Sequence, residues 1–549
     1  MALPLVAVIA ALAAGCGGPP DAYPGANLLL VTLDTTRADR IGAYGYAAAD
    51  TPRLDALAEA GVLFEQAVSP VPLTLPSHAT LMTARIPPRH GLRDNGAFEI
   101  ADGTAFLARE LEAAGYDTAA FVAAFVLHSR WGLAPGFAHY DDRFEYGRMD
   151  SLPGQVERRG DRVVDAALPW LRQEREAPFF AWVHLYDPHA PYEAPEPWSE
   201  RFDEPYDAEI AFTDHQVGRL LDALEEMEIA EETLVVVVGD HGEALGDHGE
   251  PGHGLFVYDA TQIVPLILRL PGGHRAGERV RQQAPMEDIA PTLLELLGTP
   301  VPEEFEGESL LPLLEGEGED RPAYSETLFP RFHFGWQELY ALRADGYKYI
   351  QAPREELYDL EADPGEGRNI VLQEPGLARR MREQLDELRG DDEITGPDPL
   401  GGDAAERLRA LGYIGSAPAD VGDGPLPDPK DKLPLLQDLT RGQSLVQARR
   451  PEPAVEILRD VIERDDRIVD AHVSLGNALF QLERYEEAAA AFRAAVELNP
   501  DYEAAISNLA LSHLRLGDTE RARADFEALL VLDPSNPSAH YHLGEMALS

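Results

Sequence analysis

Strand-like and helix-like segments alternate over most of the chain, and this alternation constrains the fold more than any other feature. Helical stretches cover 51–61, 104–116 and 206–226. Between them lie apolar runs bounded by polar turns, as in strands buried on both faces: NLLLVTLD (27–34), APFFAWVHLYD (177–187), TLVVVVGD (233–240) and VPLILRL (264–270). The order predicts an α/β layered fold with a largely parallel central sheet. Residues 322–360 add the pattern of a small antiparallel sheet.

A period of 34 residues marks the C-terminal part of the chain. Equivalent positions recur at this spacing: Ala454, Ala488 and Ala522; Leu458, Phe492 and Phe526; Leu475, Leu509 and Leu543; Ala471, Ala505 and Ala539; Pro500 and Pro534. The pattern resembles the tetratricopeptide repeat, in which a helix pair is stable only when stacked on its neighbours. We therefore expect an all-α solenoid over 435–549, whose groove binds a protein or peptide partner. A short helix and a linker rich in Gly, Pro and Asp are expected over 401–434.

The length and charge of the chain restrict what it binds. A chain of 549 residues is long enough for two or three domains. Its net charge of −51 makes nucleic acid an unsuitable partner, because nucleic acid needs a basic surface. If the substrate is an anion, the protein must supply positive charge locally, from a metal, an arginine or a helix N-terminus.

The first 26 residues have the pattern of an export signal followed by a short tether. The apolar run from Leu3 to Ala14 is too short to span a bilayer. LAAGC resembles a bacterial lipobox, which would make Cys16 the lipidation site; a plain secretory signal, or a buried thiol at Cys16, is the alternative. We expect an exported protein of the periplasm or cell envelope, held at the membrane by a lipid anchor only. Cys16 is the sole cysteine, so no internal disulfide is possible.

Two aspartates end predicted strands and are candidate metal ligands. Asp34 ends the first strand and Asp240 ends the strand over 233–240. Ligands of open α/β sheets bind outside the carboxyl ends of strands, where these carboxylates would meet. His241 adds a nitrogen donor, within the His-, Asp- and Gly-rich run GDHGEALGDHGEPGHG (239–254). Alternatively, each aspartate only caps the next helix.

Thr74 is the candidate nucleophile. It precedes Pro76 by two residues, and PSHATLMTAR continues as a helix, so Thr74 is expected at the helix N-terminus. A helix N-terminus attracts anions, and a metal there lowers the pKa of a hydroxyl. The alternative is that Thr74 is only an N-cap.

Four segments together resemble the sulfatase family of the alkaline phosphatase superfamily, and the resemblance covers nearly all of 27–400. They are NLLLVTLDTTRADRIGAYGY, TPRLDALAEAGVLFEQAVSPVPLTLPSHATLMTARIPPRHG, HLYDPHAPY and GDHGEALGDHGE with VPLILRLPG. The resemblance implies a layered α/β core and hydrolysis of sulfate or phosphate esters by a metal-activated nucleophile. It places Asp34, Asp240 and His241 at metal-ligand positions and Thr74 at the nucleophile. His248 falls on a histidine that contacts the substrate or protonates the leaving group.

The chain departs from the sulfatase pattern at the nucleophile. Sulfatases convert the first residue of a C/S-x-P-S/A-R motif into formylglycine, and here the equivalent run is Thr74-Leu75-Pro76-Ser77-His78. Threonine cannot yield that aldehyde, because its β-carbon carries a methyl group, so no formylglycine is expected. His78 replaces the motif arginine and is a second catalytic candidate. Thr35 replaces a metal-binding aspartate, and His253 stands where many sulfatases place a sulfate-binding lysine.

The threonine and the histidines look more like the phosphodiesterases and nucleotide pyrophosphatases of the superfamily, which use two metals. Asp187, His189 and His253 are candidates for the second metal site; alternatively, the two histidines contact substrate and Asp187 only supports its loop. The nitrogen of His241 favours zinc or manganese over calcium. Weaker candidates for binding the anionic ester, each of which is alternatively a surface charge, are Arg85, Arg130, His90 and Arg93.

The sequence thus predicts a metal-dependent hydrolase of sulfate or phosphate esters, with one or two divalent ions and Thr74 as nucleophile. A phosphodiesterase or phospho-group transferase of the same superfamily is an alternative. A catalytically idle scaffold that acts through its repeats is an alternative of a different class.

Overall fold

The computed structural model describes residues 22–96, 98, 100–101, 103–144, 157–390, 394–396 and 424–548. The predicted lipidation site Cys16 and the predicted short helix after residue 400 lie outside this range. Across the described part of the chain, no helix combines the length and apolar character needed to cross a membrane.

An eight-stranded sheet forms the centre of the larger domain. Its strands are β1 (Asn27–Leu33), β2 (Val62–Val68), β3 (Asp117–Phe121), β4 (His139–Asp141), β5 (Phe179–Leu185), β6 (Thr233–Gly239), β7 (Ile263–Arg269) and β8 (Glu278–Pro285). They are ordered β4-β3-β5-β1-β6-β7-β2-β8. Only β7 pairs with both of its neighbours in the antiparallel direction. The predicted α/β fold with a largely parallel sheet is therefore confirmed.

Helices pack on the sheet in two groups. The helices of this domain are α1 (Pro52–Glu59), α2 (Thr74–Thr83), α3 (Pro87–His90), α4 (Leu107–Ala113), α5 (Gly160–Leu171), α6 (Pro205–Glu226), α7 (Asp259–Gln262), α8 (Ile289–Leu296), α9 (Leu311–Leu314), α10 (Phe329–Phe334) and α11 (Pro375–Arg389). Helices α1 and α5 contact α6, whereas α2, α4 and α8 contact one another. The central strands are buried apart from Asn27 and are mostly apolar, as expected for parallel strands covered by helices.

The predicted small antiparallel sheet is also present. It contains β9 (Ala323–Thr327), β10 (Leu339–Ala344), β11 (Tyr347–Gln351) and β12 (Glu356–Asp359), in the order β12-β11-β10-β9. Helix α11 packs against β10 and β11.

Seven helices form the C-terminal solenoid, as the 34-residue period predicts. They are α12 (Pro429–Gln447), α13 (Pro451–Arg464), α14 (Val469–Gln481), α15 (Tyr485–Leu498), α16 (Glu503–Arg515), α17 (Thr519–Leu532) and α18 (Pro537–Leu548), and each contacts the next. The recurring alanines at 454, 488 and 522 are completely buried. The expectation of a linker up to residue 434 is wrong, because the first helix begins at Pro429. The Asp428 carboxylate caps it by accepting a hydrogen bond from Lys430 N at 3.0 Å.

Candidate active site

The ends of β1 and β6 place two carboxylates side by side. Leu33 pairs with Gly239 in the parallel ladder, so Asp34 and Asp240 follow at the same edge of the sheet. Asp240 Oδ1 accepts hydrogen bonds from Thr35 N at 3.1 Å and His241 N at 2.7 Å. Thr35 has a φ of +48°, which is rare for a β-branched residue and marks a strained turn at this edge.

The carboxylate pair has the properties of a cation site. Among the described residues, Asp34 Oδ1 and Asp240 Oδ2 are buried without a hydrogen-bond partner. Burial raises the pKa of both carboxyl groups, and the charge of Asp34 raises the pKa of Asp240 further. A divalent cation would satisfy both oxygens and compensate both charges.

His241 and Thr74 complete the candidate metal set. The His241 Nδ1–H donates to the Gly242 carbonyl oxygen at 3.0 Å, which leaves the lone pair on Nε2. That Nε2 lies 3.4 Å from Thr74 Oγ1, and α2 begins at Thr74 as predicted. Donor atoms of Asp34, Asp240 and His241 lie within 4.8 Å of one another. These residues fit a divalent cation, and their mixed oxygen and nitrogen donors suit zinc or manganese.

A second group, formed by His78, His184 and Asp240, also brings donor atoms within 4.8 Å, but its hydrogen bonds oppose metal binding. His184 Nδ1 accepts from Ala123 N at 3.2 Å, so the proton is on Nε2 and donates to Asp34 Oδ2 at 3.1 Å. His184 thus orients the Asp34 carboxylate and has no lone pair for a cation.

His78 has a structural position rather than the predicted catalytic one. Its Nδ1–H donates to Thr74 O at 2.8 Å, and its Nε2 accepts from Thr32 Oγ1 at 3.0 Å. The ring is fully buried against Trp182 and His184. With both nitrogens engaged, His78 fixes the first turn of α2 and hence the position of Thr74.

Asn95 lies beside Thr74, although no motif in the sequence marked it as a candidate. Its Oδ1 accepts a hydrogen bond from Leu75 N at 2.8 Å, one residue after Thr74. Its Nδ2 is buried and bonds to none of the described residues. The free N–H group at a helix N-terminus suits the oxygen of a bound anion.

His253 lies beside His241 and is paired with a carboxylate. The ring centroids of the two histidines are 4.6 Å apart, and His189 lies 5.1 Å from His253 on the other side. Glu243 Oε1 is 3.1 Å from His253 Nδ1, while Tyr192 OH donates to Glu243 Oε2 at 3.0 Å. Burial alone would lower the pKa of His253, but the charge of Glu243 and its hydrogen bond raise it to about 9. His253 is therefore a cation at neutral pH in the metal-free protein.

The predicted second metal set does not assemble. Both oxygens of Asp187 accept from Gly160 N at 2.9 Å, at the first residue of α5. Asp187 therefore caps a helix, and the alternative that it only supports its loop holds. His189 and His253 do lie together, with ring centroids 5.1 Å apart.

His248 is not where the predicted leaving-group acid should be. Its ring stacks on Tyr258 with centroids 3.5 Å apart. Lys348 and Glu356, residues of the small sheet, are its charged neighbours, and burial lowers its pKa. Of the three histidines in the loop over 239–254, His241 and His253 lie at the site and His248 does not.

The weaker substrate-binding candidates are also placed elsewhere. Arg85 Nε donates to Glu304 O at 2.9 Å on the surface, and Arg130 lies over the Trp131 ring at 5.2 Å. His90 Nε2 is bonded to Thr80 Oγ1 at 3.0 Å, and Arg93 forms an ion pair with Glu326. None of these contacts is with Thr74 or the carboxylate pair.

Comparison with protein families shows which families this chain matches. Residues 26–299 match the family described as Sulfatase, and residues 247–391 match the C-terminal family of N-sulphoglucosamine sulphohydrolase. The catalytic part of the chain belongs to the sulfatase family. Residues 439–503 and 507–549 match the tetratricopeptide repeat, so both predicted families are confirmed.

Relatives of the sulfatase-family domain extend over most of its length. An arylsulfatase of Clostridium perfringens is 26% identical over 457 residues, covering 66% of this chain and 92% of that protein. A delta 4,5-hexuronate-2-O-sulfatase of Bacteroides thetaiotaomicron is 25% identical over 447 residues, covering 69% and 91%. The phosphonate monoester hydrolase of Agrobacterium radiobacter shares the fold, with a TM-score of 0.58, 24% identity and coverage of 69% and 99%.

Proposed function

We propose that this sulfatase-family protein is a metal-dependent hydrolase of sulfate or phosphate esters in which Thr74 is the nucleophile. The observation that carries the proposal is the convergence of Thr74 Oγ1, the His241 Nε2 lone pair and two carboxylate oxygens without other partners. An idle scaffold has no need to bury such a costly group of charges. We take the reaction class from the family, and we infer the roles of the residues from the geometry of the site.

Asp34, Asp240, His241 and Thr74 would hold the cation. When bound, it would lower the pKa of the Thr74 hydroxyl, whose proton leaves to solvent, and would offset charge on the ester oxygens.

The first half of the proposed reaction transfers the ester group to the protein. Thr74 Oγ1 forms a bond to sulfur or phosphorus while the bond to the alcohol oxygen breaks on the opposite side. Asn95 Nδ2 donates to an oxygen of the reacting group. His253 donates a proton to the departing oxygen, and Glu243 stabilises the imidazolium form that holds this proton.

The second half releases the acid. His253, now neutral, accepts a proton from water, and the water oxygen attacks the sulfur or phosphorus bound to Thr74. The bond to Thr74 Oγ1 breaks, and this oxygen takes a proton from solvent, which regenerates the threonine hydroxyl. His253 returns to its starting protonation state.

The test is a paired assay of the full chain with added zinc, manganese or calcium. Aryl sulfate, aryl phosphodiester and aryl phosphomonoester are compared for the native chain, Thr74→Ala and Thr74→Ser. Thr83→Ala is a matched control, because Thr83 is buried on the same helix and donates only to Ala79 O. We expect Thr74→Ala to lose at least about a thousandfold in kcat, Thr74→Ser to retain activity and Thr83→Ala to remain close to native.

Turnover that survives in Thr74→Ala would show that another group is the nucleophile. Phosphodiester turnover in preference to sulfate would identify the phosphodiesterase alternative, which the threonine hydroxyl and the three adjacent histidines favour. Cation binding without turnover of any ester would instead support the scaffold alternative.

The remaining features of the chain fit an exported enzyme with a recruiting domain, and we include both in the proposal. The lipobox-like LAAGC supports anchoring at Cys16 in the cell envelope. Between the repeat helices lies a cavity of about 430 Å³ whose lining includes Asn477, Phe480 and Asn508, and such a groove suits an extended peptide.

A further inference from the structure

The loop that contains His253 is held by hydrogen bonds within the loop and to the small sheet. We define residues 240–258, between β6 and α7, as the catalytic loop. Within it, Glu250 Oε1 accepts from Leu255 N at 2.6 Å, and Thr327 Oγ1 of the small sheet donates to Gly254 O. The position of His253 therefore depends on what holds the segment on either side of it.

The first repeat helix, α12, packs directly on this loop. A Cβ atom at Gly249 would lie 3.1 Å from Leu433 Cδ1, which means that the side chain of Leu433 covers the backbone there. Leu435 and Leu439 of α12 belong to the same buried apolar cluster as the loop residues 255–258. The repeat domain and the catalytic loop thus share one core.

A charged side chain at the start of α12 reinforces this contact. Lys430 Nζ donates to Glu356 Oε1 at 2.5 Å and to Arg354 O at 2.8 Å. The other oxygen of Glu356 accepts from Tyr258 OH at 2.9 Å and from Tyr358 OH at 3.0 Å. Glu356 is almost fully buried, so its charge depends on Lys430 for compensation. Lys430 is thereby connected, through one carboxylate, to the last residue of the catalytic loop.

We propose that the repeat domain is a positioning element of the catalytic site, in which Lys430 and Leu433 hold the catalytic loop so that His253 faces Thr74. The effect on turnover rests on the proposed function, whereas the effect on loop order does not. A peptide bound by the repeats would act on the site through the same helix, because any movement of α12 is a movement of the surface on which the loop rests.

The experiment compares three variants of the full chain. Lys430→Met removes the charge, Lys430→Arg retains it, and Lys432→Met is the matched control. Lys432 lies on the same helix but pairs with Asp465 of the repeats at 2.7 Å. Hydrogen–deuterium exchange of the peptide spanning 247–258 measures loop order, and kcat and KM are measured with whichever aryl ester the native chain hydrolyses.

We expect Lys430→Met to speed exchange at the Leu255 amide about tenfold, because it removes two charge-assisted hydrogen bonds. The same variant should lower kcat more than it changes KM, while Lys430→Arg and Lys432→Met resemble the native chain. Unchanged exchange over 247–258 in Lys430→Met would overturn the proposal, whatever the activity. Faster exchange over the whole chain, in Lys432→Met as well, would also overturn it, because the role would then be general stability. If no ester is hydrolysed, the proposed function fails, but the exchange result still shows whether Lys430 orders the catalytic loop.

Discussion

Replacing Asp34 by asparagine should separate the cost of the buried carboxylate pair from the benefit of its cation. In the metal-free protein, Asp34 Oδ1 and Asp240 Oδ2 have no hydrogen-bond partner within the described structure. A buried acceptor without a partner costs about 1–3 kcal/mol, so the pair costs roughly 2–6 kcal/mol. The asparagine amide can accept from His184 Nε2–H and donate towards Asp240. We expect Asp34→Asn to be more stable than the native chain in chelator, by about 1–3 kcal/mol.

A divalent cation should offset this difference in stability. Binding at a hundredfold excess over Kd adds about 2.7 kcal/mol to the native chain. At roughly 2 °C per kcal/mol for a large domain, the native Tm should rise by about 5 °C. Asp34→Asn, which lacks the charge of one ligand, should shift by less than about 1 °C.

Differential scanning calorimetry in chelator and then in manganese or zinc measures both effects. Asp214→Asn is the control: Asp214 is buried, but its oxygens accept from Arg53 N and Leu54 N at the start of α1. This variant should lose stability under both conditions and retain the native response to the cation. The reasoning would be refuted if Asp34→Asn responded to the cation as strongly as the native chain.

The same carboxylates give the metal-free protein a defined pH dependence. Burial raises the folded-state pKa of Asp34 and Asp240 above the ordinary value of 3.8. Their contribution to stability is therefore full below pH about 4 and is lost as the pH rises through the raised values. In chelator, the native chain should lose stability relative to Asp34→Asn between acid and neutral pH, and the cation should abolish the difference.

Three further substitutions and one control, Gly544→Ala, test the proposed general acid, the anion-binding amide and the repeats. Glu243→Gln should lower kcat by roughly 10–100-fold, because the neutral amide no longer stabilises the imidazolium beside it, and the thermal response to manganese should persist. Asn95→Ala should lower kcat about a hundredfold or more with the same cation response, measured by steady-state kinetics and calorimetry. Gly476→Ala should destabilise the repeats by about 1–3 kcal/mol, because its Cβ would lie 2.5 Å from Phe492 Cε1. In thermal unfolding followed by circular dichroism, Gly544→Ala should be neutral or stabilising, since nothing lies within 4 Å of its added Cβ.

The sequence predicted the features that depend on local pattern. The strand preceding Asp34 and the strand preceding Asp240 are continuous apolar runs, so their ends, and the carboxylates there, could be read directly. Pro76 predicted the start of α2 because proline belongs in a first helical turn. Strands that lack a continuous apolar run, such as β4 (His139–Asp141) and the edge strand β8 (Glu278–Pro285), gave no comparable signal.

The directions of side chains in loops could not be predicted. His248 and His253 lie in one His- and Gly-rich run, and nothing local distinguishes them. His248 has a φ of +52° and turns its ring onto Tyr258, while Glu243 holds His253 at the site. His184 and Asn95 were missed for a related reason: each acts by a hydrogen bond to a residue distant in sequence or on another element, which only the assembled fold shows.

The identity of residue 74 determines what the rest of the site must provide. If Thr74 is the nucleophile, as we propose, its attack leaves an ester on Oγ1 that only a second nucleophile can cleave, so the site needs a group that first donates and then accepts a proton. In the proposed mechanism His253 meets this need, because Glu243 stabilises its protonated form while burial stabilises its neutral form, so the ring can lose a proton and regain it. In this mechanism, Thr74 and the pair formed by His253 and Glu243 therefore depend on each other. Their substitution effects should be non-additive, since both act in the same two steps of the proposed reaction.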